Sequence, residues 1–273
     1  MEDYIIEEFY EKMSNVQFAP YGIIDTTNKI HTLGTDSKII GRIFEMFSQP
    51  VLEEIALNHS MVLKTPESQT VYPDFIMMKD ASSKEKIAID VKSTYITSDK
   101  SSIKFTLGSF ASYMRDNTKN IEYNYTDYSK HYVIGFVYKR NGSAQESKVY
   151  DYSERGQIDF PFYDVKYFIQ EKYKIAGDKP GSGNTENIGS FPTKNFNDLK
   201  DGNGPFSSLG IDTFNLYWKY YPKYRSSQKT YSSLPEFADW FLHQPKANIS
   251  LFHSFDYTST QKCISEYAKL IHK

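Results

Sequence analysis

The stretch IAIDVKSTY, Ile87–Tyr95, is built like a buried strand yet carries Asp90 and Lys92 two positions apart. Alternate side chains of an extended chain share a face, so this acid and this base project together. Such a strand holds either an internal ion pair or a reaction centre. Spacing alone does not choose between them, because acid-x-Lys recurs at Asp36–Lys38, Glu146–Lys148, Asp164–Lys166 and Asp198–Lys200. Context separates the candidates. Asp90 follows the apolar run Ile87-Ala88-Ile89, and a second acid stands upstream in YPDF, where Pro73–Asp74 is the only Pro-Asp pair of the chain. VYPDFIMM (71–78) and KIAIDVKSTY (86–95) are joined by the polar KDASSKE, which predicts a hairpin carrying an acid on each arm. Asp164–Lys166 also opens a strand and is the strongest competitor.

Beyond this pair, HYVIGFVY (131–138) predicts a buried strand and DVKYFIQEKYKIAG (164–177) another long one. Upstream, residues 2–13 place Tyr4, Ile5, Phe9 and Met13 at helical spacing. YGIIDTTNKIHTLG (21–34) alternates about Thr26–Asn28 and predicts a second hairpin. The clearest helix starts at Thr35, a candidate cap, with Ile39, Ile40, Ile43, Phe44 and Phe47 as its apolar stripe. Pro50 is expected to bend or break it, and Lys38, Gly41, Glu45 and Ser48 fall on another face. DKPGSGNTENIGS (178–190) is a Gly/Ser/Asn loop, and the last third alternates short helices with polar turns, ending in the helix YTSTQKCISEYAKLIHK (257–273). No repeat or linker divides the chain. The expectation is one α/β domain over residues 1–245 and a C-terminal helical extension over 246–273.

Composition narrows the class. With 23 Tyr and 19 Phe there is ample apolar surface for a core, and no apolar run approaches the ~18 residues of a membrane span. The acidic start MEDYIIEEFYEKM does not read as a secretory leader. A single cysteine, Cys263, excludes internal disulfides and a cysteine zinc cage, and reads as an ordinary thiol on a helix. A cytoplasmic protein fits these features. The net charge of −2 does not mark a general nucleic-acid binder, although such an enzyme can confine its Lys and Arg to one cleft.

Two carboxylates on adjacent strands suit a hard divalent cation such as Mg²⁺, which takes oxygen ligands from one or two acids, water and substrate phosphate. The metal polarises the phosphoryl group and acidifies a bound water, and a neighbouring lysine can orient that water or offset developing charge. The bland alternative, a strand-end ion pair, is about as well supported by these residues alone.

YPDF…IAIDVKSTY resembles the PD-(D/E)xK nuclease motif. LGTDSK, IFEMFSQP, KIAIDVKSTY, IKFTLG, NTKNI, IGFVY and IAGDKPGSGNTENIGS are similar, in the same order, to segments of EcoRV-like type II restriction endonucleases. The similarity spans roughly residues 20–240 and is absent over 246–273. It implies a restriction-endonuclease-like mixed β-sheet core flanked by helices, and Mg²⁺-dependent hydrolysis of double-stranded DNA by a homodimer. Asp74 and Asp90 would then bind Mg²⁺, and Lys92 would position or help deprotonate the attacking water. Glu45 would be an auxiliary acid able to support another metal position; without the family it is a solvated helix face.

PGSGNTENIG also tempts a phosphate-loop reading, but Gly183-Asn184-Thr185 stands where that loop needs Gly-Lys-Thr, so no nucleotide cofactor is expected. Alone it reads as a flexible surface loop. By the resemblance, Gly181, Ser182, Gly183, Asn184 and Thr185 belong to a recognition loop (about 178–190) that reads bases in the major groove, where an Asn amide can pair with an adenine edge. The family target GATATC, cut centrally to blunt ends, follows as an expectation. Gln69 would reach the minor groove, although Ser68 and Thr70 depart from the family's glutamine and asparagine. Thr94, Asn117 and Lys119 would contact backbone phosphates, and the basic KYYPKYRSSQK (219–229) falls where DNA-facing residues could lie. The hairpin within about 18–34 would be a dimerisation element, since a palindrome needs two identical half-site readers. A related nuclease of other specificity and a non-cleaving DNA-binding module are the alternatives.

Overall fold

The structure is a computed structural model that describes residues 4–68, 70–181, 186–223 and 230–271. Helix α1 (Tyr4–Met13) precedes strands β1 (Gly22–Ile24) and β2 (Lys29–Thr32) and the long helix α2 (Ser37–Asn58). Strands β3 (Val62–Lys64), β4 (Phe75–Met78), β5 (Lys86–Tyr95) and β6 (Thr106–Ser109) follow. Next come β7 (Tyr128–Arg140), β8 (Val149–Asp151) and β9 (Phe162–Glu171), then a single helical turn, α3 (Lys172–Ile175). Strands β10 (Ala176–Pro180) and β11 (Asn187–Ser190) lead into α4 (Phe196–Lys200), α5 (Gly210–Tyr220), α6 (Leu234–Leu242) and α7 (Tyr257–Ile271).

A five-stranded mixed sheet in the order β3-β4-β5-β7-β9 organises the chain. β4 and β5 form the predicted antiparallel hairpin, with Phe75 opposite Ile89. β5 and β7 run parallel, setting Asp90 against Val133 and Lys92 against Gly135. Alternation then assigns the faces. Ile87, Ile89 and Val91 point toward α1 and α2, among Phe9, Phe44 and Ile55. Ala88 points the other way, toward a core containing Leu107, Tyr113 and Trp218, and Asp90 and Lys92 share that side. β7 is buried on both faces from His131 to Tyr138, as befits a central strand. A Cβ at Gly135 would lie 2.3 Å from the Phe168 ring, so β7 and β9 pack through the space a side chain would take. This mixed sheet between helical layers is the expected α/β, restriction-endonuclease-like fold.

Several local expectations are corrected. The cap of α2 is Asp36, not Thr35: its carboxylate accepts from the backbone of Lys38 (2.8 Å) and Ile39 (3.2 Å), which also commits this acid to the helix end. Pro50 does not break α2. The carbonyl left without its helical partner belongs to Met46, on the exposed side of a helix that runs unbroken from Ser37 to Asn58. The strand predicted over 164–177 ends at Glu171, where α3 turns Lys172 inward and sends β10 into a separate sheet with β11 and β6. β1 and β2 pair as predicted, with Asn28 in the left-handed turn position (φ 62°), and β8 joins them as a third strand. Helix α7 packs on α5 and α6, and Ile264 and Ala268 enter the same buried cluster as Trp218 and Phe237.

Candidate active site

The ends of β4 and β5 bring three of the singled-out residues together. Asp74 lies one step beyond the last β4–β5 pairing, and its Oδ2 accepts the Val91 backbone N–H at 2.7 Å, as if extending the ladder. The Lys92 ammonium is 2.9 Å from Asp90 Oδ1 and 3.4 Å from Asp74 Oδ2, and donates to the Val91 carbonyl at 3.1 Å. Asp90 is buried, whereas Asp74 and Lys92 are each about a quarter exposed and open toward solvent.

Crowding two acids here has electrostatic consequences. Burial and the charge of Asp90 push the Asp74 carboxyl up to about 7. Burial opposes ionisation of Asp90 as well, but Lys92 and then Lys172 outweigh it and hold this carboxyl below its usual range. Burial would strip the Lys92 proton, but Asp90 and Asp74 overcome it and raise the ammonium above its ordinary pKa. Lys92 is therefore held as a cation between the two acids. The raised Asp74 marks a surplus of negative charge that a cation would relieve. Two adjoining carboxylates, of which Asp74 lines an open cavity of about 580 Å³, form the oxygen-rich donor set that suits Mg²⁺.

Glu45 lines the same cavity as Asp74, but its carboxylate pairs with Arg42 one helical turn away. Among the described residues no three His, Cys, Asp or Glu side chains converge as a metal cluster, so the acid pair stands without Glu45. Thr94 is half-buried and continues the face of Asp90 and Lys92. Asn117 is occupied locally, accepting from Thr126 N–H (3.1 Å) and donating to its hydroxyl (3.3 Å), while Lys119 is exposed on the same turn. Gly181 closes the base of its loop by donating to the Asn187 carbonyl at 2.7 Å. Gln69 and Ser182, Gly183, Asn184 and Thr185 lie outside the described residues, as does 224–229 of the basic stretch. The rival pair differs in context: Asp164 shares Lys139 with Asp99 (2.8 and 2.9 Å), and both acids are exposed rather than set against a buried carboxylate.

Sequence reasoning missed the polar core behind the acids. Lys172 is buried, 3.8 Å from the Tyr72 ring centre and 3.2 Å from the Tyr113 hydroxyl. Burial pushes its ammonium down to about 8, against the pull of Asp90. Tyr72, two residues before Asp74, hydrogen-bonds His131 Nδ1 at 2.9 Å, and burial drives that imidazole well below its usual range, so it is neutral. Lys172 is some eighty residues from Asp90 in sequence, and no local pattern links the two. The other missed residue, Arg42, sits three residues before Glu45, and that helical spacing was the available signal.

A mixed sheet with an acid pair and a lysine on adjacent strands, opening into a cleft, has the make-up of a PD-(D/E)xK nuclease. Comparison with known proteins narrows this further. A family model for restriction endonuclease EcoRV matches residues 14–242. The chain is also 40% identical over 246 residues to the type II restriction enzyme EcoRV of Escherichia coli, covering 89% of this chain and 98% of that protein. The chain belongs to the EcoRV restriction endonuclease family and is a type II, site-specific deoxyribonuclease of that kind. Among the described residues no helix is long and apolar enough to cross a membrane.

Proposed function

We propose that two copies of this chain bind a short DNA palindrome and hydrolyse one phosphodiester in each strand, with Mg²⁺ as cofactor and GATATC, cut centrally to blunt ends, as the target. The observation that carries the reading is the Asp74–Asp90–Lys92 group, with Asp74 lining a cavity of about 580 Å³, in a chain so similar to EcoRV. Asp74 and Asp90 would hold the cation, which when bound polarises the phosphoryl oxygen and acidifies a water. Lys92, charged and next to both acids, orients the nucleophile and offsets charge developing on the phosphate. Glu45 serves as an auxiliary acid once an incoming phosphate draws Arg42 away. Residues 181–185 read the major groove, Gln69 the minor groove, and Thr94, Asn117 and Lys119 the backbone.

The β1–β2–β8 sheet supports the dimer. Ile23 and Ile24 are 65% and 55% exposed, and Val149 is exposed across β2, in register with Ile23 through His31. A cavity of about 500 Å³ lined by Ile23, Leu33, Ile39, Ile43 and Phe47 adjoins them, and an isolated monomer would leave this apolar surface in water. The protein acts on double-stranded DNA in the cytoplasm, with residues 1–245 as the endonuclease domain and 246–273 as a helical extension packed on α5 and α6. Digestion of a sequenced plasmid with Mg²⁺, with Ca²⁺ as control, tests the reading by mapping the ends. Blunt ends at GATATC support it. Cleavage elsewhere overturns the specificity, and binding without cleavage overturns the nuclease reading.

A further inference from the structure

Strands β10 and β11, the two arms of the stem that flanks residues 181–185 in the sequence, pair with each other and carry further anchors on different parts of the protein. The second arm belongs to the β-sheet side. The Glu186 carbonyl accepts from the Phe110 N–H (2.8 Å) and the Ser109 hydroxyl (3.1 Å), just past β6. The first arm, besides pairing with the second, is tied to the helical layer. The Tyr217 hydroxyl of α5 donates to the Asp178 carbonyl at 2.5 Å. The N–H of Leu234, the first residue of α6, donates to Asp178 Oδ2 at 3.0 Å. The Lys179 ammonium donates to the Ser232 carbonyl at 2.6 Å. A carboxylate at the start of α6 satisfies an orphan helix donor and meets the positive end of the helix dipole, so this tether is well placed.

The layer that holds Asp178 is itself stiffened. The buried Tyr231 hydroxyl donates to the Tyr217 carbonyl at 2.6 Å, joining the approach to α6 onto α5. Lys219 donates to the Ser250 carbonyl at 2.7 Å, and the Tyr257 ring of α7 lies 5.7 Å from Phe241 of α6. These last partners, Ser250 and Tyr257, lie beyond the family-matched residues 14–242.

We propose that Asp178 is a positioning residue for target recognition, fixing the stem of the 181–185 segment to the α5–α6 layer that the C-terminal residues back. The inference rests on the reading of 181–185 as the base-reading segment. Hydrogen bonds to base edges tolerate only small displacements, so a stem released from α6 must be ordered when DNA binds, at the expense of affinity and discrimination. The chemistry at Asp74, Asp90 and Lys92 sits on other strands and is left alone.

The test uses the full chain with Asp178→Ala and Asp178→Asn, assayed on a duplex carrying the cleaved sequence and on duplexes with one base pair altered. Asp178→Ala is expected to raise KM about tenfold and to narrow the preference for the cognate site by a similar factor, with kcat changed less than about twofold. Asp178→Asn keeps an oxygen that can accept from Leu234 N–H and should restore most of both. Should Asp178→Ala fail to fold, Tyr217→Phe removes one tether and keeps the ring, and should shift KM the same way by about threefold. Asn184→Ala is measured alongside. If it lowers discrimination while the Asp178 and Tyr217 variants change only thermal stability, the positioning role is wrong and the base-reading role stands. If Asn184→Ala also leaves discrimination unchanged, the reading of the loop has failed and the inference with it.

Discussion

Asp74→Asn should stabilise the metal-free protein while destroying its activity. Unfolded, Asp74 loses its proton near pH 4; folded, it keeps it to about 7. Between those values the native state binds the extra proton, so stability falls as pH rises. The penalty is absent below about pH 4 and complete above about pH 7. Three units at 1.36 kcal/mol each give an upper figure of about 4 kcal/mol. The Asp74 side chain is still 27% exposed, and screening there roughly halves the figure, to about 2 kcal/mol. Asparagine reproduces the neutral form: its oxygen can still accept from Val91 N–H and its amide can donate to Asp90. For a chain of this size 1 kcal/mol moves Tm by about 2 °C, so the variant should melt about 4 °C higher at pH 8 and within about 1 °C of the parent at pH 4.5. Differential scanning calorimetry in EDTA measures this. Added Mg²⁺ should then raise the parent's Tm at pH 8 and leave the variant's unchanged. A lower Tm for the variant at pH 8, or the same gain at both pH values, would refute the assignment of strained, like-charged acids.

Three further outcomes can be checked. Asp90→Ala should cut the single-turnover cleavage rate by about a thousandfold or more while the protein still folds and binds its duplex, read by gel shift in Ca²⁺; near-normal turnover would remove Asp90 from the site. Ile24→Glu places a charge on the exposed face of β1, and light scattering should then report a mass near 31.7 kDa where the parent gives about twice that. Gly135→Ala drives a methyl group into the Phe168 ring and should cost about 2–3 kcal/mol in urea unfolding. Adding Phe168→Leu should recover part of that loss; additive losses would show that the two residues do not compete for the same space.

The acid pair was legible because its signals are local. Period-two alternation puts Asp90 and Lys92 on one face, and a polar seven-residue connection makes the preceding strand its hairpin partner, which carries Asp74 to the same end. The α2 stripe and the two hairpins follow from equally short-range patterns. Other expectations failed where two local signals competed. Thr35 and Asp36 are both good caps, and only the backbone geometry at 36 selects the aspartate. Pro50 reads as a helix breaker, yet α2 continues through it, because packing of the apolar stripe on both sides outweighs one lost helical bond. The single turn at Lys172–Ile175 interrupts a stretch that alternates well enough to pass for one strand.

What the sequence determined by itself was the pairing of β4 with β5, the shared face of Asp90 and Lys92, and through its ordered motifs the family. What only the tertiary structure decided was the state of those groups and the company they keep. The burial of Lys172 behind Asp90 and the tether from Asp178 to α6 join segments far apart in the chain, and the shifts at Lys92 and Asp74 depend on how deeply the whole fold buries the hairpin. Hydrogen-bond periodicity acts over a few residues, whereas desolvation and Coulomb interaction are set by whatever the fold packs within a few ångströms, and no local pattern carries that information.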